Sequence, residues 1–468
     1  MAVLFNYRIF ILLICSYFTY GQNKWDIDLC IEYALNNNSQ VKKSKLSSKI
    51  SEENYKQTIN SKYIPTINAN ANQQINFGRS IDPGSNQFVN QSIISNNIGI
   101  FGTYNLFNGL QNYNLKRQNE LQLKSSVYEI EKTKVDLIIN ILNNYLQVLL
   151  FNEQLRNSDN QLARSRYIYK RGLELNSIGA LPEEDILKLN AQISSDEQSV
   201  ISIKYQLLQA DFDLKKNMQI PMDTKLELDS IRTTDDSNLE DSIPSSKINS
   251  LPSVKSQKYK MESYKYSVSS SKGAYLPKIN LNFGIASIYS SQYTQLTVKG
   301  NQVATVGLVN NDPNQPVISS YPIYSVSKIP FNEQLSRNLY YYLSLNLVIP
   351  LLNGRTTKTN YEKAKLNYEA SKIDFELIKH QAISQLSQYQ ASISFAKSKL
   401  VFAKQELESN KRSLEIVIKK YEGGYINTLD LLEEKFRYNK SESNYLQCKY
   451  EYLFRKKIFE YYVKNYIE

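Results

Sequence analysis

Two acidic residues near the carboxyl end of the chain have the spacing of neighbours on one helix face. Asp430 and Glu433 are three positions apart, and residues at i and i+3 lie side by side on a helix surface. Carboxylates held together attract cations and raise some of one another's pKa values. Asp185 stands at the corresponding position of an earlier segment, where Lys188 replaces the second acid. The alternative interpretation is that all three are ordinary solvated surface acids.

The composition excludes most other chemistry. The chain has 468 residues but a single histidine, His380, so sites that need two imidazoles are excluded. No nucleophile–base pair or metal-ligand cluster is apparent, and we expect neither an enzyme nor a bound cofactor or metal. The net charge is +11, but the basic residues are spread along helices, which argues against a nucleic-acid partner. With 41% hydrophobic residues, the chain is not a bundle of membrane-spanning helices.

The first residues have the pattern of an export signal, which we place at 1–21. Arg8 precedes a short apolar run at 9–18, and small residues lead up to a cleavage site after Gly21. The run is too short to span a bilayer. Whether Cys15 is lipidated stays open, because a bulky residue precedes it. The pattern predicts an exported protein.

The sequence contains an internal two-fold repeat. Corresponding positions are residues 63–70 with 275–282, 106–109 with 351–354, Gly179 with Gly424, and Asp185 with Asp430. The separation between partners increases across 286–337, so the second half carries an extra segment there. We therefore predict two structural repeats, at 22–250 and 251–468.

A seven-residue apolar spacing predicts long helices in each repeat. The spacing connects Leu386, Ile393, Leu400, Leu407, Leu414 and Tyr421, and small residues such as Ala396 and Ala403 follow it. Such a row indicates coiled-coil-like packing at close approach. We predict long helices over 110–178 and 355–422, return helices over 182–218 and 426–466, and shorter helices over 26–62 and 252–274. Each long helix would measure about 100 Å.

Between the short and long helices the apolar spacing changes from seven to two. The alternation predicts two hairpins, at about 64–108 and 276–352, whose four strands have one apolar and one Asn-rich face; Leu106 ends the apolar face of the second strand. Proline precedes each hairpin and glycine follows it: Pro65, Gly109, Pro277 and Gly354. Residues 286–337 are predicted as a long outward-facing loop. The strand pattern suits membrane-spanning strands with lipid on one face and water on the other, although a soluble half-buried sheet fits each strand equally well.

Four strands cannot close a barrel. Because open sheet edges are not tolerated in lipid, we expect other copies of the chain to complete it.

These features resemble the TolC family of outer-membrane efflux and secretion channels. The resemblance rests on Tyr-Ile-Pro and Tyr-Leu-Pro before the hairpins, Phe-Asn-Gly and Leu-Asn-Gly after them, the opening segment 25–38, and Tyr-Glu-Gly-Gly-Tyr-Ile-Asn-Thr-Leu-Asp-Leu-Leu-Glu at 421–433. It covers 24–466. It implies an α+β membrane protein: a homotrimer whose four strands per chain complete a 12-stranded β-barrel in outer-membrane lipid, continued by a long periplasmic α-helical barrel, with an equatorial strap at 219–250.

The resemblance also implies a function and a site. The function would be that of a passive exit duct, coupled to a periplasmic adaptor and an inner-membrane RND or ABC transporter. The helix tips would dock the adaptor; they are Gly179, Ala180, Leu181 and Pro182 in one repeat, and Gly423, Gly424 and Tyr425 in the other. Asp430 and Glu433, with Asp185 as a weaker member, would form an acidic ring at the gate. The alternative is an exported trimeric coiled-coil structural or adhesive protein without a pore.

Overall fold

The computed structural model describes residues 24–83, 85–229 and 245–462. The predicted signal peptide, Cys15 and the middle of the predicted strap lie outside these residues. The chain divides into two compact units. One, the helical unit, comprises Met1–Glu52, Leu121–Glu262 and Glu369–Glu468; the other, the sheet unit, comprises Glu53–Glu120 and Ser263–Tyr368.

Helices account for most of the described residues. They are α1 Ile27–Asn37, α2 Ser39–Asn60, α3 Gln111–Ser177, α4 Glu183–Met218, α5 Pro252–Gly273, α6 Phe331–Arg337, α7 Thr356–Glu422 and α8 Thr428–Tyr462, with short 3-10 helices at Ser245–Ser250 and Val309–Asn311. The long helices α3 and α7 each contain 67 residues. Their equal length is what an internal repeat requires.

The segment expected as one helix over 26–62 is broken at Asn38. This residue leaves the helical conformation, with φ −60° and ψ 127°. Its side-chain oxygen accepts a hydrogen bond from the Gln40 amide at 2.8 Å, and its side-chain nitrogen donates to the Asn217 carbonyl at 2.8 Å. The Asn38 side chain therefore competes with the hydrogen bonds of the helix backbone, so that α1 ends before Asn38 and α2 begins after it.

The strands form one four-stranded sheet and two small hairpins. They are β1 Thr66–Asn76, β2 Arg79–Ile81, β3 Phe88–Asn90, β4 Ile93–Asn108, β5 Lys278–Ser290, β6 Thr294–Leu308, β7 Pro316–Lys328 and β8 Tyr340–Val348. The main sheet has the order β1-β4-β5-β8, with every pair antiparallel. The pairing of β4 with β5 joins the two repeats, and β1 and β8 form the edges.

The register collects the apolar residues on one face of the main sheet. Directly paired residues share a face, as Ala69, Ile100 and Ile285 do across three strands. The members of this apolar face are Ile67, Ala69, Ala71, Ile75, Ile98, Ile100, Tyr104, Phe107, Ile279, Leu281, Phe283, Ile285, Tyr341, Leu343, Leu345 and Leu347. The expectation for Leu106 was wrong. A bulge between Asn105 and Phe107 leaves Leu106 unpaired, and Phe107 takes the apolar face opposite Ile279.

Most of the segment expected as a loop at 286–337 has regular structure. It contains the end of β5, the antiparallel pair β6–β7 and the helix α6. The prolines that favoured a loop are compatible with this hairpin. Pro316 is the first residue of its strand, and Pro322 lies in a two-stranded sheet in which each strand is an edge.

The middle of α3 is buried on several faces of the helix. Leu137, Ile141 and Tyr145 pack with residues of α1 and α4, whereas Ile138 and Leu142 pack with residues of α7 and α8. This explains why the α3 sequence is apolar nearly all round at this level. No helix in the described ranges is both long and apolar enough to cross a lipid bilayer.

The Tyr145 hydroxyl connects this core to the segments beside it. It lies 2.9 Å from the Trp25 carbonyl and 2.7 Å from the Asp229 carbonyl, where a parallel bridge pairs Trp25 with Leu228. Burial raises the pKa of Tyr145, so the hydroxyl keeps its proton for these contacts. The first residues described and the start of the predicted strap are thus held against α3.

The glycines that follow the two hairpins should differ in how much stability is lost when each is replaced by alanine. Gly109 and Gly354 have left-handed φ values of 66° and 61°. A Cβ atom at Gly354 would meet no atom within 4 Å, whereas one at Gly109 would lie 2.1 Å from the Gly273 carbonyl oxygen. Gly354→Ala should lower the free energy of unfolding by about 1 kcal/mol through backbone strain alone. Gly109→Ala should cost about 1–3 kcal/mol more, because backbone must move.

Thermal unfolding of the two detergent-solubilised variants, followed by circular dichroism, measures this difference. Equal losses of stability would contradict the close contact between Gly109 and Gly273.

Candidate functional site

The two predicted helix tips end in the same backbone motif. Gly179 and Gly424 have φ values of 75° and 74°. In the first tip the Ala180 amide donates to the Leu175 carbonyl at 2.9 Å; in the second the Tyr425 amide donates to the Lys420 carbonyl at 2.9 Å. This is the Schellman arrangement, which needs a left-handed residue and therefore favours glycine. The repeated glycine is explained by helix termination.

The tips present exposed side chains. Ala180 and Pro182 are exposed, and Tyr425 is 83% exposed. The Tyr425 ring lies over Gly423, where an added Cβ atom would come within 2.7 Å of it. Leu181 instead turns inward and packs against buried residues of the helical unit. The backbone is thus fixed, while most of the tip surface is free for contact.

A shared apolar cluster holds the two tips together. Leu189 of α4 and Ile168 of α3 pack with the helices α7 and α8 of the second repeat; the buried members from that repeat are Leu414, Tyr421, Leu431 and Tyr438. Close approach of α3 and α4 depends on Gly172, because a Cβ atom there would lie 2.8 Å from Leu189. The tips are therefore one packed body rather than independent turns.

The predicted acidic residues differ in their surroundings. Asp430 is exposed in the first turn of α8, where Asn427 accepts its amide hydrogen bond at 2.9 Å, and no cationic side chain among the described residues lies within ion-pair distance. Glu433 is also exposed but lies 2.6 Å from Arg437. Asp185 is half-buried and lies 3.3 Å from Lys188. Asp430 thus remains the free carboxylate, whereas the charges of the other two are largely compensated locally.

A buried polar network lies in the same unit and was missed from the sequence. The Lys435 ammonium donates to the Ser165 hydroxyl at 2.9 Å, and that hydroxyl donates to the Asp196 carboxylate. Gln192 donates to the other Asp196 oxygen at 2.9 Å. All three members of the chain from Lys435 to Asp196 are buried. The network connects α8 with α3 and α4, and so connects the repeats.

Burial dominates the electrostatics of this network. It lowers the pKa of Lys435 to about 8, against the opposing effect of the Asp196 charge, while Arg164 lowers it further. The sequence signal was available: Lys435 falls between Leu431 and Tyr438, at the spacing of a buried helix stripe. A single polar residue in such a stripe is ordinarily interpreted as lying at the solvent-exposed edge of the buried helix face.

Metal binding and cysteine chemistry find no support in the described residues. No group of three acidic, cysteine or histidine side chains there is arranged to hold a metal ion. Cys30 and Cys448 are buried free thiols, and burial raises the pKa of Cys30 to about 12. A thiol with so high a pKa is a packing residue rather than a nucleophile.

Comparison with known proteins identifies related families and structures. The family model described as "Outer membrane efflux protein" matches residues 30–218 and 243–455, which together make up well over half of the chain. The first match lies within the predicted first repeat, and the second begins at residue 243, near the end of that repeat, and extends through most of the predicted second repeat. Among curated proteins, none matches the chain significantly.

Solved structures with the same fold include three bacterial outer-membrane proteins. The Campylobacter jejuni channel CmeC is 16% identical, with a TM-score of 0.76 over 93% of this chain and 84% of CmeC. VceC from Vibrio cholerae is 11% identical, with a TM-score of 0.75 over 94% and 97% of the two chains. MtrE from Neisseria gonorrhoeae, in its open state, is 16% identical, with a TM-score of 0.69 over 92% and 87%.

The buried network predicts a stability that depends on pH. Because the folded pKa of Lys435 is depressed, the unfolded chain binds more protons at this residue between about pH 8 and 10.5, so the contribution of Lys435 to stability rises with pH in that window. Lys435→Met should remove this increase, whereas Lys440→Met, at an exposed position on the same helix, should keep it.

Thermal midpoints at pH 7.5, 8.5 and 9.5 check this prediction. A wild-type midpoint whose pH dependence matches that of Lys435→Met would show that the ammonium is not desolvated.

Proposed function

The chain belongs to the outer membrane efflux protein family, and we propose that it forms the outer-membrane exit duct of a tripartite efflux or type I secretion system. It is an outer-membrane protein with a helical part in the periplasm. As a duct it would be a passive homotrimeric channel. A periplasmic adaptor and an inner-membrane RND or ABC transporter would supply its cargo and its energy.

One observation carries this proposal: the main sheet has two open edges and an exposed apolar face. Leu343 is 72% exposed and Leu345 67% exposed on β8, and β1 at the other edge is likewise exposed. In lipid an apolar face is stable, but each unpaired backbone group costs several kcal/mol (order of magnitude). Pairing of β8 with β1 of a neighbouring copy satisfies both edges. Three copies then give a closed barrel of twelve strands.

The opposite face of the sheet supports a water-filled interior. It carries asparagine, threonine and serine, among them Asn68, Asn282 and Ser344, in register across the strands. Alternation of an apolar and a polar face is the pattern of a membrane barrel that encloses water. A coiled-coil adhesive protein would have no need of this second face.

We assign gating and adaptor docking to the helix tips. The tip backbones are fixed by the Schellman motifs, and the exposed Ala180, Pro182 and Tyr425 provide a contact surface of small and aromatic groups. Asp430 adds a free carboxylate next to the second tip. In a trimer, three such carboxylates, with Glu433 behind them, would form a cation-attracting ring at the periplasmic mouth.

The acidic ring predicts cation selectivity that depends on Asp430 more than on Glu433. Asp430→Asn should shift the reversal potential in a salt gradient towards that of a non-selective pore, because it removes an unpaired charge. Glu433→Gln should shift it less, because Arg437 already compensates Glu433, and Asp185→Asn serves as the matched control.

Planar-bilayer recordings of the purified protein provide the measurement. Absence of any trimeric, conducting species would overturn the duct itself. Conductance with an unchanged reversal potential in Asp430→Asn would overturn only the ring.

The docking surface predicts an effect of a bulky tip residue on adaptor binding. Ala180→Arg should reduce cross-linking to the periplasmic adaptor in intact cells, because a large charged side chain would occupy the contact, whereas Ala180→Ser should have little effect. Both variants should form normal amounts of trimer, since Ala180 is exposed. Equal cross-linking by the two variants would place the adaptor elsewhere.

A further inference from the structure

Two aromatic rings lie against each other on the polar face of the main sheet. Apart from Ile288, Lys278 and Val348 near the ends of the strands, its other paired members are small or carry amides and hydroxyls, as in the rows around Asn70 and Asn282. Phe101 of β4 and Tyr342 of β8 lie on this face, in one row of paired residues with Asn68 and Gly284. An asparagine-rich surface gives no hydrophobic reason for a phenylalanine at this position.

The two rings meet across the strand between them. Residues two strands apart in a sheet are separated by roughly 10 Å. The ring centroids of Phe101 and Tyr342 are nevertheless 6.3 Å apart, with an angle of 40° between the ring planes. Both side chains therefore lean over β5 towards each other, and they form a continuous aromatic surface.

Glycines make room for this arrangement. A Cβ atom at Gly284 would lie 2.7 Å from the Tyr342 ring and 3.2 Å from the Phe101 ring, and one at Gly99 would lie 2.9 Å from Phe101. The rings consequently lie low on the sheet, each with its inner side covered and its outer side open. Both residues are half-buried, in agreement with this description.

The surroundings of the rings are uncharged. The neighbouring rows contain Thr103, Asn282 and Ser344 on one side and Asn70, Ala286 and Tyr340 on the other. A solute on this surface is therefore not held by an ion pair. Attraction must come from the ring faces, which stack on planar aromatic groups and bind cations through their negative potential.

We propose that Phe101 and Tyr342 form a binding site for aromatic organic cations on the water-facing side of the barrel. The inference rests on the proposed duct, in which the polar face lines the lumen and three copies place three such sites at one level. The site would act as a stepping point that favours lipophilic aromatic solutes over equally charged aliphatic ones during passage. Covering of glycine by aromatic rings is itself stabilising in sheets, so the test must separate binding from stability.

Block of the open channel by two monovalent cations makes this separation. Tetraphenylphosphonium carries aromatic rings, and tetrabutylammonium has the same charge without them. In planar bilayers tetraphenylphosphonium should block wild-type channels at a concentration about threefold to tenfold lower than tetrabutylammonium. Phe101→Thr and Tyr342→Thr should each reduce this ratio towards one. Tyr342→Phe should preserve it, because the ring remains.

Tyr341→Thr is the matched control, because Tyr341 is the adjacent tyrosine but lies on the apolar face opposite Ile285. It should leave the ratio unchanged. If threonine at one of the two ring positions prevents assembly, the other position and the wild-type comparison still decide the question. Equal block of wild-type channels by the two cations, or an unchanged ratio in the threonine variants, overturns the site while leaving the duct intact. Absence of conductance in the wild-type protein overturns both.

Discussion

Burial of one narrow stripe along the long helix α7 is the constraint on which the helical unit depends. Along α7 the buried side chains recur mostly at intervals of seven or eleven residues, and many are small; they are Ala364, Ser371, Ala382, Leu386, Ile393, Ala396, Ala403, Leu414 and Tyr421. Small residues allow close helix contact, and the regular spacing keeps the stripe facing one side. The step from Ser371 to Ala382 is eleven residues, a shift in phase that locally relaxes supercoiling. Beyond the stripe, α7 exposes large apolar side chains such as Phe395 and Phe402 beside polar ones. The ion pair between Lys372 and Glu369 is exposed and therefore weak.

Much of this architecture could be predicted from the sequence because it repeats simple periods. The spacing of seven and the spacing of two identify helices and strands over many residues, and the exposure of apolar strand residues such as Leu343 agrees with the membrane interpretation. What escaped prediction depends on single side chains. Asn38 breaks a helix through its own hydrogen bonds, and a bulge moves Leu106 out of register. Neither the helix break nor the bulge changes the spacing of apolar residues around it, so the sequence pattern does not reveal it.

In the candidate site, too, some features could be predicted from the sequence and others could not. Glycine at Gly179 and Gly424 could be assigned to helix ends from the sequence, because few other residues adopt a left-handed conformation at low cost. The ion pairing of the two acidic residues could not, since it depends on whether Arg437 points towards Glu433. Burial of Lys435 was equally hidden, because its hydroxyl and carboxylate partners come from helices far away in sequence.

The pairing of β4 with β5 has a consequence for the order of folding. Ile100 pairs with Ile285, so this contact closes a loop of nearly two hundred residues, and closing long loops is slow even though the added entropy cost grows only with the logarithm of length. The first hairpin is complete long before its partner strand has been synthesised. Throughout that interval an apolar strand face and an open edge are exposed to water, the combination most prone to aggregation. Early pairing of β5 with β4 therefore shortens the time during which the first hairpin can aggregate.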